Sequence, residues 1–114
     1  MCCNYASPNS DPADETLPAV DVVTAANRPP GVLLLDVREQ AEWSSGHAPG
    51  ALHQRLGALD PASLPACDKV YVICRSGNRS AAATRRLRDA GIDAYNVTGG
   101  IAAWADARLP ADFS

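Results

Sequence analysis

Val70-Tyr71-Val72-Ile73-Cys74-Arg75-Ser76-Gly77-Asn78-Arg79-Ser80-Ala81-Ala82-Ala83-Thr84-Arg85-Arg86-Leu87 carries an apolar run straight into a cysteine, and a short polar loop straight into a helix-forming run. The spacing predicts a strand from Lys69 to Cys74 and a helix from Ser80 to Ala90, with Gly91 as its stop. A thiol is thus placed at the end of a strand and in front of a helix. The first N–H groups of a helix lack backbone partners, its N-terminus carries partial positive charge, and anions bind there. Cys74 also has Arg75 and Arg79 close by in sequence. A free cysteine has a pKa of about 8.5, and such surroundings lower it by roughly one to five units. Alone, Cys74 would read as an ordinary buried cysteine; two arginines and a glycine in the same loop favour a reactive one.

Upstream, Val32-Leu33-Leu34-Leu35-Asp36-Val37 is a continuous apolar run, the pattern of a strand buried on both faces. From Pro18, apolar residues at Val20, Val23 and Ala26 predict a helix that ends at Asn27-Arg28-Pro29-Pro30-Gly31. Glu15-Thr16-Leu17 is expected as a short edge strand. Glu39 to Trp43 predicts a short helix, closed by Ser44-Ser45-Gly46. Leu52 to Asp68 reads as loop, with a single helical turn started by Asp60-Pro61. Downstream, Ala94-Tyr95-Asn96-Val97 is a further strand, and a last helix follows Thr98-Gly99-Gly100. Strands alternating with helices predict an α/β fold: a mostly parallel sheet with helices on both faces and right-handed crossovers. In such sheets ligands sit beyond the carboxyl ends of the strands. Asp36 and Cys74 both fall at such ends.

The 114 residues suit one domain, expected over 15–110, with a flexible tail at 1–14 and a short one at 111–114. Hydrophobic content of 46% and charged content of 20% are those of an ordinary soluble domain. A net charge of −3 gives no argument for nucleic acid or a membrane surface, and neither is expected as partner. Arg75, Arg79, Arg85, Arg86 and Arg88 nonetheless crowd one region, and a local basic site can steer a small anion in an acidic chain. The cysteines Cys2, Cys3, Cys67 and Cys74 form neither a Cys-x-x-Cys pair nor a disulfide framework, so a reduced, cytoplasmic setting is expected. Cys2 and Cys3 read as exposed residues of the tail, with acylation or a metal as alternatives. No run reaches the ~18 apolar residues of a membrane span, and the N-terminus lacks signal-peptide order.

The loop Cys74-Arg75-Ser76-Gly77-Asn78-Arg79-Ser80 resembles the Cys-Arg-x-Gly-x-Arg-Ser loop of the rhodanese family of sulfurtransferases. Leu35-Asp36-Val37-Arg38, Glu42-Trp43-Ser44-Ser45-Gly46-His47-Ala48-Pro49-Gly50-Ala51 and Gly99-Gly100-Ile101-x-x-Trp104 are similar to further segments of that family. The family usually has Ile at the place of Ala48, often Asn at that of His53, and Gly at that of Arg108; the last departure bears on the final turn. The tyrosine-phosphatase-like relatives have five residues between Cys and Arg. Here four, Arg75 to Asn78, make a smaller cradle, suited to one extra sulfur on Cys74 rather than a phosphoryl group.

The resemblance implies a rhodanese-like single domain and a two-step transfer. Cys74 takes a sulfane sulfur from thiosulfate or a persulfide donor, then passes it from a persulfide to cyanide, a thiol or a protein cysteine. A sulfur-relay or binding module for a partner protein is the alternative, with phosphatase or arsenate reductase behind both. No metal or cofactor is called for. The amides from Arg75 to Ser80, through Ser76, Gly77 and Asn78, are expected to converge on the sulfur as an anion nest. Arg75 is expected to hold the donor's anionic end. Arg79 either does the same or braces the loop. Ser80 either donates to the thiolate or caps the helix. Asp36 and Arg38 are expected as an ion pair that orders loops, His47 as a turn residue, Trp43 and Trp104 as core. Cys67 is expected to be inert rather than a resolving thiol for Cys74.

Overall fold

The structure, a computed structural model, describes residues 17–112. Five strands, β1 (Ala19–Val20), β2 (Val32–Asp36), β3 (Leu52–His53), β4 (Lys69–Ile73) and β5 (Ala94–Val97), form one sheet in the order β1-β5-β4-β2-β3. Every pairing in it is parallel. The helices are α1 (Val22–Ala26), α2 (Gln40–Ser44), α3 (Asn78–Asp89) and α4 (Gly100–Asp106). Two short 3₁₀ turns, Leu56–Ala58 and Pro61–Ser63, lie between β3 and β4. The second is the turn expected at Asp60-Pro61, and the Asp60 side chain accepts from the Ala62 N–H.

The long apolar runs fill two cores because side chains alternate across a strand. Leu35, Val37, Val70, Val72, Cys74 and Ala94 face one side and pack with Ala83 and Leu87 of α3. Leu34, Tyr71, Ile73 and Val97 face the other side and pack with Val22 and Ala25 of α1 and Trp104 of α4. Cys74 therefore points toward the face that α3 covers, one residue beyond the last pair of the β2–β4 ladder, Asp36 with Ile73.

Several elements differ from the sequence expectation. The segment after Pro18 starts as strand β1, paired with β5, and the helix begins only after Asp21, whose carboxylate accepts from the Thr24 N–H. Its buried face is Val22 and Ala25, while Val23 is 51% exposed. Helical spacing at Val20, Val23 and Ala26 was misleading because strand pairing claims Val20. Leu17 is not in a strand; Glu15 and Thr16, like Cys2, Cys3 and the rest of the 1–14 segment, lie outside the described residues. Leu52 and His53, read as loop, form β3, a two-residue strand too short to show a period. Helix α3 starts at Asn78, two residues early, because Gly77 at φ +112 turns the chain directly into it. Trp104 is core, but Trp43 is only part-buried, with its ring stacked between His47 at 3.6 Å and His53 at 4.7 Å. At the C-terminal end, His47 and Asp112 exchange backbone hydrogen bonds of 2.8 and 2.7 Å. Among the described residues no helix is long and apolar enough to cross a membrane.

Candidate active site

The sharp turn from β4 into α3 fixes where the thiol sits. Cys74 is 1% exposed. The Gly77 N–H donates to its Sγ at 3.1 Å, and the Ser80 Oγ lies 3.3 Å from it. The loop folds back over its own cysteine, and only Gly at position 77 takes φ +112 without strain. Burial raises the titration of the thiol; the Ser80 hydroxyl and the N–H groups of Ser80, Gly77 and Ser76 more than offset this. The thiol consequently sits below the ordinary cysteine value.

The loop's outward-facing carbonyls are tied down by the last helix. The N–H groups of Ile101 and Ala102, in the first turn of α4, donate to the carbonyls of Cys74 and Arg75 at 2.8 and 3.0 Å. A Cβ at Gly100 would strike both of those carbonyls, and Gly100 has φ +56. The Gly-Gly-Ile run thus supports the loop by letting α4 approach its backbone, a role that spacing alone does not reveal.

Arg79 and Arg75 part company. Arg79 lies in the first turn of α3 and binds Glu42 of α2 through both terminal nitrogens, at 2.7 and 2.8 Å. This hydrogen-bonded pair holds the Glu42 carboxyl down to about 2 and raises Arg79. Arg75 is exposed and, among the described residues, makes no side-chain hydrogen bond or ion pair. It lines two adjoining hollows of about 340 and 310 Å³, both of which also touch Arg38 and Ile101. Ser76 and Asn78 are exposed on the rim, and with Gly77 they border a third hollow of about 280 Å³ on the β5 side.

Asp36 and Arg38 form a buried, closed pair. Arg38 donates through Nε and a terminal nitrogen to the Asp36 carboxylate at 2.8–3.0 Å, and its backbone N–H adds a bond of 2.9 Å. The same guanidinium reaches the Gly46 carbonyl at 2.8 Å, tying the end of β2 to the end of α2. The His47 Nδ1–H donates to the Trp43 carbonyl and the His53 Nε2–H to the Arg38 carbonyl. His53 is therefore a second tie on the same loop. Arg86 and Arg88 of the wider arginine cluster do not converge on Cys74. Arg86 donates to the Leu56 and Leu59 carbonyls, and Arg88 to the Ala94 carbonyl. Nine residues of helix set Arg88 about 14 Å along the axis from Arg79.

Cys67 lies before β4 and Cys74 after it, so five strand residues, about 16 Å, separate them. Cys67 is exposed beside a hollow of about 360 Å³ lined by Pro61, Leu64, Val70 and Ile92, none of which belongs to the loop. Glu42, Asn96 and Gly100 are the residues around the site that sequence reasoning did not single out. Glu42 had a signal in lying within a quoted segment; Asn96 had only its place at the end of a strand.

Comparisons with known proteins agree with this architecture. Residues 19–107 match the model of the rhodanese-like domain. A candidate sulfurtransferase of Bacillus subtilis, YtwF, is 41% identical over 80 residues, covering 68% of this chain and 77% of its own. A candidate sulfur carrier protein of the same organism, YrkF, is 38% identical over 74 residues, covering 62% of this chain and 40% of its own. The chain spans less than half the length of YrkF, and less than half that of an uncharacterized protein of Synechocystis sp. that it matches at 40% identity over 82 residues. Among solved structures, a rhodanese-related protein of Thermoplasma volcanium superposes with a TM-score of 0.80 at 28% identity, covering 85% of this chain and 99% of that one. With a parallel five-stranded sheet, a cysteine-led loop between β4 and α3, and a family match across nearly all the described residues, this chain belongs to the rhodanese-like domain family.

Proposed function

We propose that this domain is a sulfurtransferase that carries a sulfane sulfur on Cys74. The observation that supports this most is the placement of the Cys74 Sγ under a loop whose Gly77 N–H already donates to it. In the first step the Cys74 thiolate attacks the outer sulfur of thiosulfate. The new S–S bond forms on Cys74, the donor's S–S bond breaks, and sulfite leaves with the bonding pair. In the second, an acceptor such as cyanide or a thiolate attacks the outer sulfur of the persulfide, and the Cys74 thiolate leaves. Backbone N–H groups fixed beforehand stabilise the anionic sulfur in each step with little reorganisation.

Arg75 takes the donor's anionic end, since it is exposed beside the loop. Arg79 braces the loop through Glu42. Ser76, Gly77, Asn78 and Ser80 supply the cradle, and the Asp36–Arg38 pair orders the neighbouring turn. The bidentate engagement of Arg79 also favours sulfur over phosphoryl transfer, because a phosphate site needs that arginine facing the ligand. The domain's similarity to a sulfur carrier protein supports a relay variant of the same chemistry, in which a partner protein is donor or acceptor.

Incubation with thiosulfate should add the mass of one sulfur atom to the peptide holding Cys74. Adding cyanide should then release thiocyanate and restore the original mass, and Cys74→Ala should do neither. Undiminished thiocyanate production by Cys74→Ala would remove this reading. Sulfur uptake without free turnover would select the relay, and brisk hydrolysis of an aryl phosphate would reverse the preference for sulfur.

A further inference from the structure

The hydroxyl beside the thiol has one hydrogen and two neighbours that can take it. Ser80 is fully buried, so no bulk water supplies a second donor. Its Oγ lies 3.3 Å from the Cys74 Sγ and 2.5 Å from the Asn96 Oδ1. The amide of Asn96 is oriented by its other end, where Nδ2 donates to the Gly77 carbonyl at 3.3 Å. Oδ1 therefore faces Ser80 and has no hydrogen to offer. While the sulfur is uncharged, the short contact assigns the Ser80 hydrogen to Asn96, and Ser80 turns a lone pair toward the sulfur.

That arrangement suits some forms of Cys74 and not others. A thiol donates its S–H to the Ser80 oxygen, giving a directed chain from sulfur to hydroxyl to amide. In a persulfide the inner sulfur is uncharged and has no hydrogen, so it asks nothing of Ser80. A bare thiolate at Sγ gains from a hydroxyl donor in addition to the backbone N–H groups that already face it. Ser80 can supply one only by turning its hydrogen away from Asn96, which leaves two oxygens facing each other at a short distance. Resting on the reading of Cys74 as the sulfur-carrying nucleophile, we propose that Asn96 is a positioning residue: by holding the Ser80 hydrogen it favours the thiol and persulfide forms of Cys74 over the bare thiolate.

The other groups around the thiol set a constant background. Arg75 stands in the loop, Arg79 on α3 with Glu42 of α2 bound to it, and the Asp36–Arg38 pair at the end of β2. The end of β5 and the start of α4 bring only uncharged residues, Asn96, Val97, Thr98, Gly99, Gly100 and Ile101. Replacing Asn96 changes none of these charges. It frees the Ser80 hydrogen for the sulfur.

Asn96→Ala, and Asn96→Leu as a variant that keeps the volume, should each lower the Cys74 titration by about one unit, followed by thiolate ultraviolet absorbance. At a pH where all proteins are fully thiolate, a drop of one unit should slow sulfur uptake from thiosulfate about threefold, since nucleophilicity falls with pKa. Release of sulfur from the persulfide to cyanide should speed up, since the thiolate becomes a better leaving group. A merely structural role would slow both. In a Ser80→Ala background, adding Asn96→Ala should shift the titration no further, because Asn96 acts through Ser80. An unchanged or raised titration in the single variants, or an equal shift without Ser80, would overturn the assignment. The titration needs no sulfur donor, so it judges Asn96 separately from whether the domain transfers sulfur at all.

Discussion

At the level of single residues, the site is a case of backbone groups being placed by the side chains they lack. Gly77 lets the loop turn over the thiol, and Gly100 lets α4 reach the loop's carbonyls. Arg108 is the contrary case. It has φ +57, the one positive φ at a non-glycine among the described residues. A non-glycine in the left-handed region is strained by about 1 kcal/mol or more, partly offset by the greater unfolded-chain entropy of glycine. Arg108→Gly should therefore stabilise the domain by about 0.5–1 kcal/mol, read as a rise of about 4 °C in Tm. A fall in Tm would show that the arginine side chain compensates by contacts at the end of α4.

At the level of elements, α2 has no buried residue, so packing alone cannot hold it. It is held by ties: Glu42 to Arg79 of α3, and Arg38 to the Gly46 carbonyl just after its end. Glu42 ionises far more readily when folded, with its carboxyl held at about 2 against an ordinary 4.5. Its sign follows from that depression. The stabilisation is complete above pH 4.5 and is lost as the pH falls from there toward 2, because the unfolded chain takes up the proton first. Both partners are about a third exposed, at 34% and 29%, so screening limits the pair to about 1 kcal/mol. Thermal unfolding of Glu42→Gln should lie below the parent near neutrality, and the two should converge toward pH 2. A gap that persists at pH 2 would mean that Glu42 acts through packing rather than charge. Arg79→Lys should lose most of the tie while keeping the charge, because an ammonium cannot bridge both carboxylate oxygens in plane.

At the level of the whole molecule, a parallel sheet puts its chemistry at one end. Cys74, Asp36 and the start of α3 gather at the carboxyl end, while Cys67 sits at the other. Oxidation should thus yield no Cys67–Cys74 disulfide within one molecule, since bridged Cα atoms must lie within about 7 Å. Peptide mapping that found this bridge would contradict the strand between them. The strand–loop–helix order and the place of Cys74 in it were legible in the chain itself, because two long apolar runs, a glycine and a helix-forming run are local signals. So was the inward use of the Asp36–Arg38 pair, two residues apart. The start of α1 was misread, and β3 was missed, because two-residue strands owe their existence to a neighbour rather than to a period of their own. What Arg79 does was undecidable from its loop: its partner, Glu42, lies 37 residues away and meets it only once β2 and β4 are paired. The same holds for Asn96, brought to Ser80 by the β4–β5 ladder. By itself, the sequence determined that a thiol stands between a buried strand and a helix. Only the tertiary structure decided which side chains pair with one another around that thiol and which stay exposed beside it, because such pairings depend on strand order, and strand order is settled by packing the whole sheet.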